Sequence, residues 1–258
     1  MITSKFNFRM VLGLTTLLVF LNVFSAFSQE IIQLPKEKQD EVDNYKELVY
    51  RYKQADNTQQ QVFYLNKIAF IYWENGILKE AIKFFLESAT LNEKKGNYND
   101  TKAIYSNIAL IYTDMDRLDL ALDYFLKSLD ARRKVNNKAD ISAGLIDVAY
   151  IYTALNQNEK AINLLEEALE IAKEINNPRL VLNCARLLAM NYDKIGNIPK
   201  TREYNEMYAT YEQQLSTQEI ATKYEKAAVK TEADLVGEKQ QREIQRQIME
   251  LQQLRAQA

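Results

Sequence analysis

The sequence predicts an all-α array of helix pairs, and three observations carry that prediction. Ala69, Ala109, Ala149 and Ala189 follow one another at a step of 40, as do Tyr72, Tyr112, Tyr152 and Tyr192, and likewise Asn57, Asn97, Asn137 and Asn177. Three residue types at three phases of one period mark a repeat architecture, in which each unit buries its apolar face on the next. Inside each period, apolar residues recur at the three- and four-residue spacing of a helix face. The third observation is compositional: 6 Gly and 3 Pro in 258 residues leave little for sheets and their turns, while 47% hydrophobic residues suffice for a packed interior.

Residues 1–28 read as an export signal. Lys5 and Arg9 precede an apolar run from Met10 to Phe27, and Ala26-Phe27-Ser28 fits a small-x-small cleavage rule before Gln29. The rival reading is an uncleaved anchor, because the run approaches the roughly 20 residues that span a bilayer. Thr15, Thr16, Asn22 and Ser25 dilute its hydrophobicity and favour cleavage. Residues 29–40, with Pro35, read as a leader. Residues 41–57 read as an N-terminal capping helix, with Tyr45, Leu48, Val49 and Tyr52 on one face, covering the open end of the array.

Residues 58–212 read as four 40-residue units of one grammar. The first helix carries apolar residues at the phases of Ile68, Ala69 and Tyr72, a turn follows, and the second helix carries Ala81, Phe85 and Ser88. The turn phase holds Gly76, Asp116, Asn156 and Gly196; the links between units hold Asp56-Asn57, Gly96-Asn97, Asn136-Asn137 and Asn176-Asn177. Gly, Asn and Asp accept a left-handed backbone at a helix C-terminus, so the Asn beat is expected to terminate helices. Small Ala81, Ala121 and Ala161 let the paired helices approach, and Phe85, Phe125 and Leu165 fill the space beyond.

The unit Leu65-x-x-Ile68-Ala69-x-x-Tyr72-x-x-x-Gly76-x-x-x-x-Ala81-x-x-x-Phe85-x-x-Ser88 resembles the tetratricopeptide repeat, and copies follow through Tyr105 to Ser128, Ala149 to Ala168, and Ala189 to Gly196. The period departs from the usual 34 or so, and six extra residues lengthen the helices by roughly one and a half turns in total. In the last unit Thr201, Arg202, Asn205 and Tyr208 replace the packing residues, so the stack is expected to end there. Residues 213–258 read as a long charged helix with a weak coiled-coil tendency: Ile220, Tyr224 and Ala227 form one stripe, Ile244, Ile248 and Leu251 another, and Asp234, Glu238 and Gln241 break the register between them.

Several chemistries fall away. The chain has no His, which removes His-based acid–base catalysis and metal ligation. Its glycines are too scattered for a phosphate cradle, and its formal charge of −2 offers no basic face for nucleic acid. Cys184 lacks an activating base and sits among apolar residues, where it reads as a small hydrophobe. Asp114, Asp116, Asp119 and Asp123 lack the Gly and terminal Glu of a calcium loop, and turn and helix-start positions account for Asp116 and Asp119. No catalytic residue, cofactor or metal is expected.

The resemblance implies instead a concave groove lined by the first helices. At its phases stand Phe63, Asn66, Phe70 and Trp73, then Leu110 and Thr113, then Ile146 and Tyr150, then Arg186, Met190 and Asp193. Ala103, Ser106, Ala143, Thr153 and Asn183 share those phases. This apolar and aromatic lining suits a protein or peptide partner. Packing against the N-terminal half-repeat is the competing account of Phe70 and Trp73. The carboxylate-clamp subtype places basic residues where this chain has Ala143 and Asp147, so an acidic C-terminal tail is not the expected ligand. The expected function is an exported scaffold, periplasmic in a Gram-negative cell, that captures a protein or peptide and associates through its C-terminal helix, with homodimerisation one form of that. Membrane contact is expected only if the N-terminal segment stays uncleaved. The alternative is the sensing input of a membrane signalling protein, a histidine kinase or transcription regulator, which the order of signal, array and charged helix also resembles.

Overall fold

The computed structural model describes residues 33–223 and 241. The export signal, the start of the leader and the tail beyond 223, apart from residue 241, lie outside the described residues. All regular structure among the described residues is helical. Helices α1 (Lys36–Gln54), α2 (Thr58–Glu74), α3 (Leu78–Lys94), α4 (Tyr98–Asp114) and α5 (Leu118–Val135) are followed by α6 (Lys138–Ala154), α7 (Asn158–Glu174) and α8 (Pro178–Lys194). A further helix, α9, occupies residues 198–223. The chain forms two compact units that divide between Lys134 and Val135.

The 40-residue beat resolves into two half-beats. From α2 to α8, helices begin at 58, 78, 98, 118, 138, 158 and 178, a constant step of 20 (78−58, 98−78). Each link contains one residue of positive φ: Asp56, Gly76, Gly96, Asp116, Asn136, Asn156, Asn176 and Gly196. In the first turn within a unit, Gly76 N–H donates to Trp73 O at 2.9 Å and Ile77 N–H to Tyr72 O at 2.8 Å, the paired bonds of a left-handed helix stop. The same pair recurs where Asp56, Gly96, Asp116, Asn156, Asn176 and Gly196 end the preceding helices.

The structure corrects the role expected of the Asn beat. The residue before each Asn makes the stop, and the Asn itself opens the next helix. The side chains of Asn57, Asn97, Asn137 and Asn177 accept from the backbone N–H of Gln60, Asp100, Asp140 and Leu180. An Asn oxygen is among the best acceptors for these otherwise unpaired amides.

In the first unit, Ala69, Ala81, Ala109 and Ala121 are fully buried, and so is Phe85. In the second, Ala149, Ala161 and Leu165 are fully buried as well. The tyrosine beat acquires a partner twelve residues on: Tyr72 stacks on Phe84 at 5.6 Å, Tyr112 on Tyr124 at 5.5 Å and Tyr192 on Tyr204 at 5.6 Å. Each pair joins a first helix to its second, and the third unit has Leu164 at that phase instead.

Helix α1 starts at Lys36, immediately after Pro35 and inside the span 29–40 expected as a leader. Proline fixes its own φ and disfavours helix in the residue before it, which places the boundary there. Val42 is fully buried, and Tyr45 and Tyr52 both lie on Tyr64 of α2, at 5.4 and 5.7 Å. At the other end, Tyr204 is the buried residue of α9, while Ile198, Arg202, Asn205, Glu206 and Ala209 face solvent. Earlier second helices bury Ile82 and Phe85, or Ile162 and Leu165, at the phases of Arg202 and Asn205. A further helix pair would find polar groups there, so α9 closes the packing. Beyond this point α9 is held to α8 by an Arg179–Glu219 ion pair at 3.2 Å. No described helix is long and apolar enough to cross a membrane.

Candidate functional site

All eleven residues expected on the groove reach the surface. Phe63, Phe70, Leu110, Tyr150 and Met190 are 38–49% exposed, a range at which burial cannot account for a large apolar side chain. Arg186 and Asp193 are exposed, and Asn66, Trp73, Thr113 and Ile146 are half-buried. Phe70, Leu110, Tyr150 and Met190 occupy one phase of the four first helices, at the same step of 40. The buried beats and this exposed row therefore share a period and differ in what they face.

In the first unit the structure gathers an aromatic group around Phe85 of α3. Phe70 and Trp73 stack at 6.0 Å and 19°, and both stand edge-on to the fully buried Phe85 ring, at 5.1 and 6.3 Å. Edge-to-face pairs within about 7 Å are favourable through the ring quadrupole. Phe85, on the second helix of the same repeat, thus packs against both rings, a support different from the N-terminal half-repeat of the competing account. The Trp73 indole N–H donates to Asp114 Oδ2 at 3.4 Å, a long bond that ties α2 to the end of α4. Phe63 lies at the other end of α2, edge-on to Tyr64 at 5.1 Å and with the Lys67 ammonium 5.5 Å over its ring.

One carboxylate, Asp114, accompanies these rings, and Glu74 stands at the same phase one repeat earlier. Glu74 is the last residue of α2 and Asp114 the last of α4. An acid at a helix C-terminus opposes the helix dipole, so neither position is explained by helix stability. The same phase holds Ala154 in the third repeat and Lys194, the sign that suits a C-terminus, in the fourth. The place of Asp114 beside Trp73 is set by packing between residues 41 apart, which no local pattern signals.

In the second unit Thr153 departs from the groove. It is buried, donates to Ala149 O at 2.9 Å, and is bonded to Asn191 Nδ2 at 2.8 Å. Asn191 also donates to Leu187 O at 2.8 Å, so the pair is a closed polar contact between α6 and α8. Cys184 is fully buried in α8, and burial pushes its thiol up to about 12, so it is protonated and unreactive at neutral pH. Tyr192 and Tyr105 are held protonated above the ordinary tyrosine range, first by burial and then by donating to Glu166 and Glu93. Asp119, by contrast, is held low chiefly by the Arg117 guanidinium. Among the described residues no three His, Cys, Asp or Glu side chains come together as a metal-binding set.

A family profile described as tetratricopeptide repeat matches residues 60–134, and another of the same description matches 144–179. The chain is a tetratricopeptide repeat protein. No curated protein matches the sequence. Among solved structures, the array is similar to BtubC from P. vanneervenii, with a TM-score of 0.61 and 15% identity over 70% of this chain and 75% of that one. A putative kinesin light chain from Podosopora anserina with nearly identical TPR-like repeats gives a TM-score of 0.52 and 17% identity, over 67% and 96%. A Rap protein complexed with Competence and Sporulation Factor gives 0.51 and 19%, over 68% of this chain and 49% of that one. At these identities the likeness is one of fold, and the tetratricopeptide fold supports binding of protein or peptide partners.

Proposed function

We propose that this protein is an exported scaffold that captures a protein or peptide on the face of its first helices. The observation that carries the reading is the exposed row Phe70, Leu110, Tyr150 and Met190, one large apolar side chain at one phase of each repeat. Within each compact unit, a pair of such side chains kept out of the core at the period of the core, Phe70 with Leu110 and Tyr150 with Met190, is accounted for by a ligand that contacts successive repeats. Asp114 puts a negative charge beside Trp73 in the first unit, so the partner segment combines apolar residues with Lys or Arg. The Rap structure, with a bound factor, supports such use of the fold.

Export rests on the N-terminal segment, and association on the tail. Ile220, 54% exposed on α9, continues an apolar stripe toward Tyr224, which fits pairing of tails between copies. The capture test is pull-down and cross-linking from the exported fraction, comparing the natural chain with Trp73→Ala plus Tyr150→Ala. Loss of a cross-linked partner at unchanged helicity supports the face, and undiminished capture by the double variant removes it. The mass of the exported chain tests the signal: a start at Gln29 is expected, and retention of residues 1–28 returns the anchor. Sedimentation of the full chain tests the tail, with a monomer at micromolar concentration counting against it.

A further inference from the structure

Repeat equivalence exposes a site of a different kind. In the second repeat, Ser106 of α4 and Ser128 of α5 lie 2.9 Å apart, and Ser128 donates onward to Lys102 O at 2.8 Å. The Arg132 guanidinium closes this pair, with Nη2 3.1 Å from Ser106 Oγ and Nε 3.3 Å from Ser128 Oγ. Forty residues earlier the same three phases hold Asn66, Ser88 and Asn92; forty residues later they hold Ile146, Ala168 and Ala172. The third set is apolar, and its Ala168 and Ala172 are fully buried.

The first set is polar and incomplete. Ser88 is fully buried and Asn92 is 4% exposed, yet Asn66 Oδ1, Ser88 Oγ and Asn92 Nδ2 are buried atoms without a hydrogen-bond partner. Asn92 Oδ1 is occupied, accepting from Asn97 Nδ2 at 3.2 Å, which turns the Asn92 amide nitrogen the other way. An asparagine side chain ends where arginine has Cδ, so Asn92 cannot extend across the helix pair as the Arg132 guanidinium does. Buried polar groups in native proteins are nearly always paired, with protein or with ordered water.

We propose that one ordered water occupies this place and binds all three atoms. It accepts from Asn92 Nδ2, donates to Asn66 Oδ1 and makes its third bond with the Ser88 hydroxyl. About three bonds is the usual complement of a buried water in a polar site. The water does in the first repeat what the Arg132 guanidinium does in the second, joining first helix to second directly beneath Asn66 on the partner-binding face. One position of the repeat is thus filled by solvent, by a cation and by hydrocarbon in successive units.

The test is a high-resolution crystal structure of the full chain together with water-to-amide cross-relaxation on the 15N-labelled protein. Expected are a density peak about 2.7–3.2 Å from all three atoms and a direct, long-lived water signal at the Asn92 side-chain amide. Asn92→Arg, which installs the second repeat's group, removes that peak and places its guanidinium on Ser88 and Asn66. Should that variant fail to fold, Ser88→Ala serves, and lowered occupancy is expected because the water loses a partner. A dry site in which the three side chains bond one another, or unchanged occupancy in Ser88→Ala, overturns the proposal.

Discussion

Replacing Phe85 with leucine separates packing that holds the fold from packing that holds the candidate face. Leu165 fills the equivalent phase of the third repeat and is fully buried, so the change is one the architecture already accommodates. What leucine cannot supply is the ring. Phe85 makes edge-to-face pairs with Phe70 at 5.1 Å and Trp73 at 6.3 Å. Such pairs contribute about 0.5–1.5 kcal/mol each beyond area burial, so two of them set a loss of about 1–3 kcal/mol. The lower half of that range is favoured because Phe70 and Trp73 keep their mutual stacking at 6.0 Å, and coupled contacts are not additive. Trp73 is the single tryptophan of the chain, so its emission reports this cluster alone. The assay is urea unfolding followed at the Trp73 emission and, separately, by helicity. A lower midpoint at unchanged slope is expected, with the native emission shifted toward that of a hydrated indole. A midpoint within experimental scatter of the natural chain and an unmoved emission would refute the role assigned to Phe85.

Three further outcomes follow from the same geometry. At Gly76, φ is 74° and an added Cβ meets nothing within 4 Å, so Gly76→Ala reports backbone strain alone, a loss of about 1–2 kcal/mol in denaturant unfolding, while Asp116→Gly at φ 55° is expected to gain stability. Cys184 should resist a thiol reagent at neutral pH in the native chain and react at once in denaturant; rapid native labelling would contradict its burial. Tyr105 is raised by burial and by Glu93, so the unfolded chain releases this proton first, near pH 10, and native stability falls as pH rises above that value. Thermal unfolding across that range should show a shallower alkaline decline in Tyr105→Phe.

The candidate face was legible as a set of phases, because helical spacing alone puts Phe63, Phe70 and Trp73 on one side of α2. Thr153 was misplaced by the same reasoning. Its phase matches that of Trp73 and Thr113, but Asn191 reaches it across 38 residues and draws it into the interior. The Asn beat was recognised and its role inverted. Asn tolerates both the left-handed stop and the cap position, and composition cannot separate two adjacent residues that exchange these roles. The separation lies in φ: Asn136 stands at 60° and Asn137 at −94°.

By itself, then, the sequence determined the helix pairs, their period, their stops and the alanine and tyrosine phases that pack them. These follow from local periodicity and backbone preference, which act over a few residues and repeat because the unit repeats. Only the tertiary structure decided which ring supports Trp73, that Asp114 stands beside it, and that Asn66 Oδ1, Ser88 Oγ and Asn92 Nδ2 find no partner within the protein while Ser106, Ser128 and Arg132 satisfy one another. Those are contacts between helices, and side-chain reach and burial set them rather than position in the period.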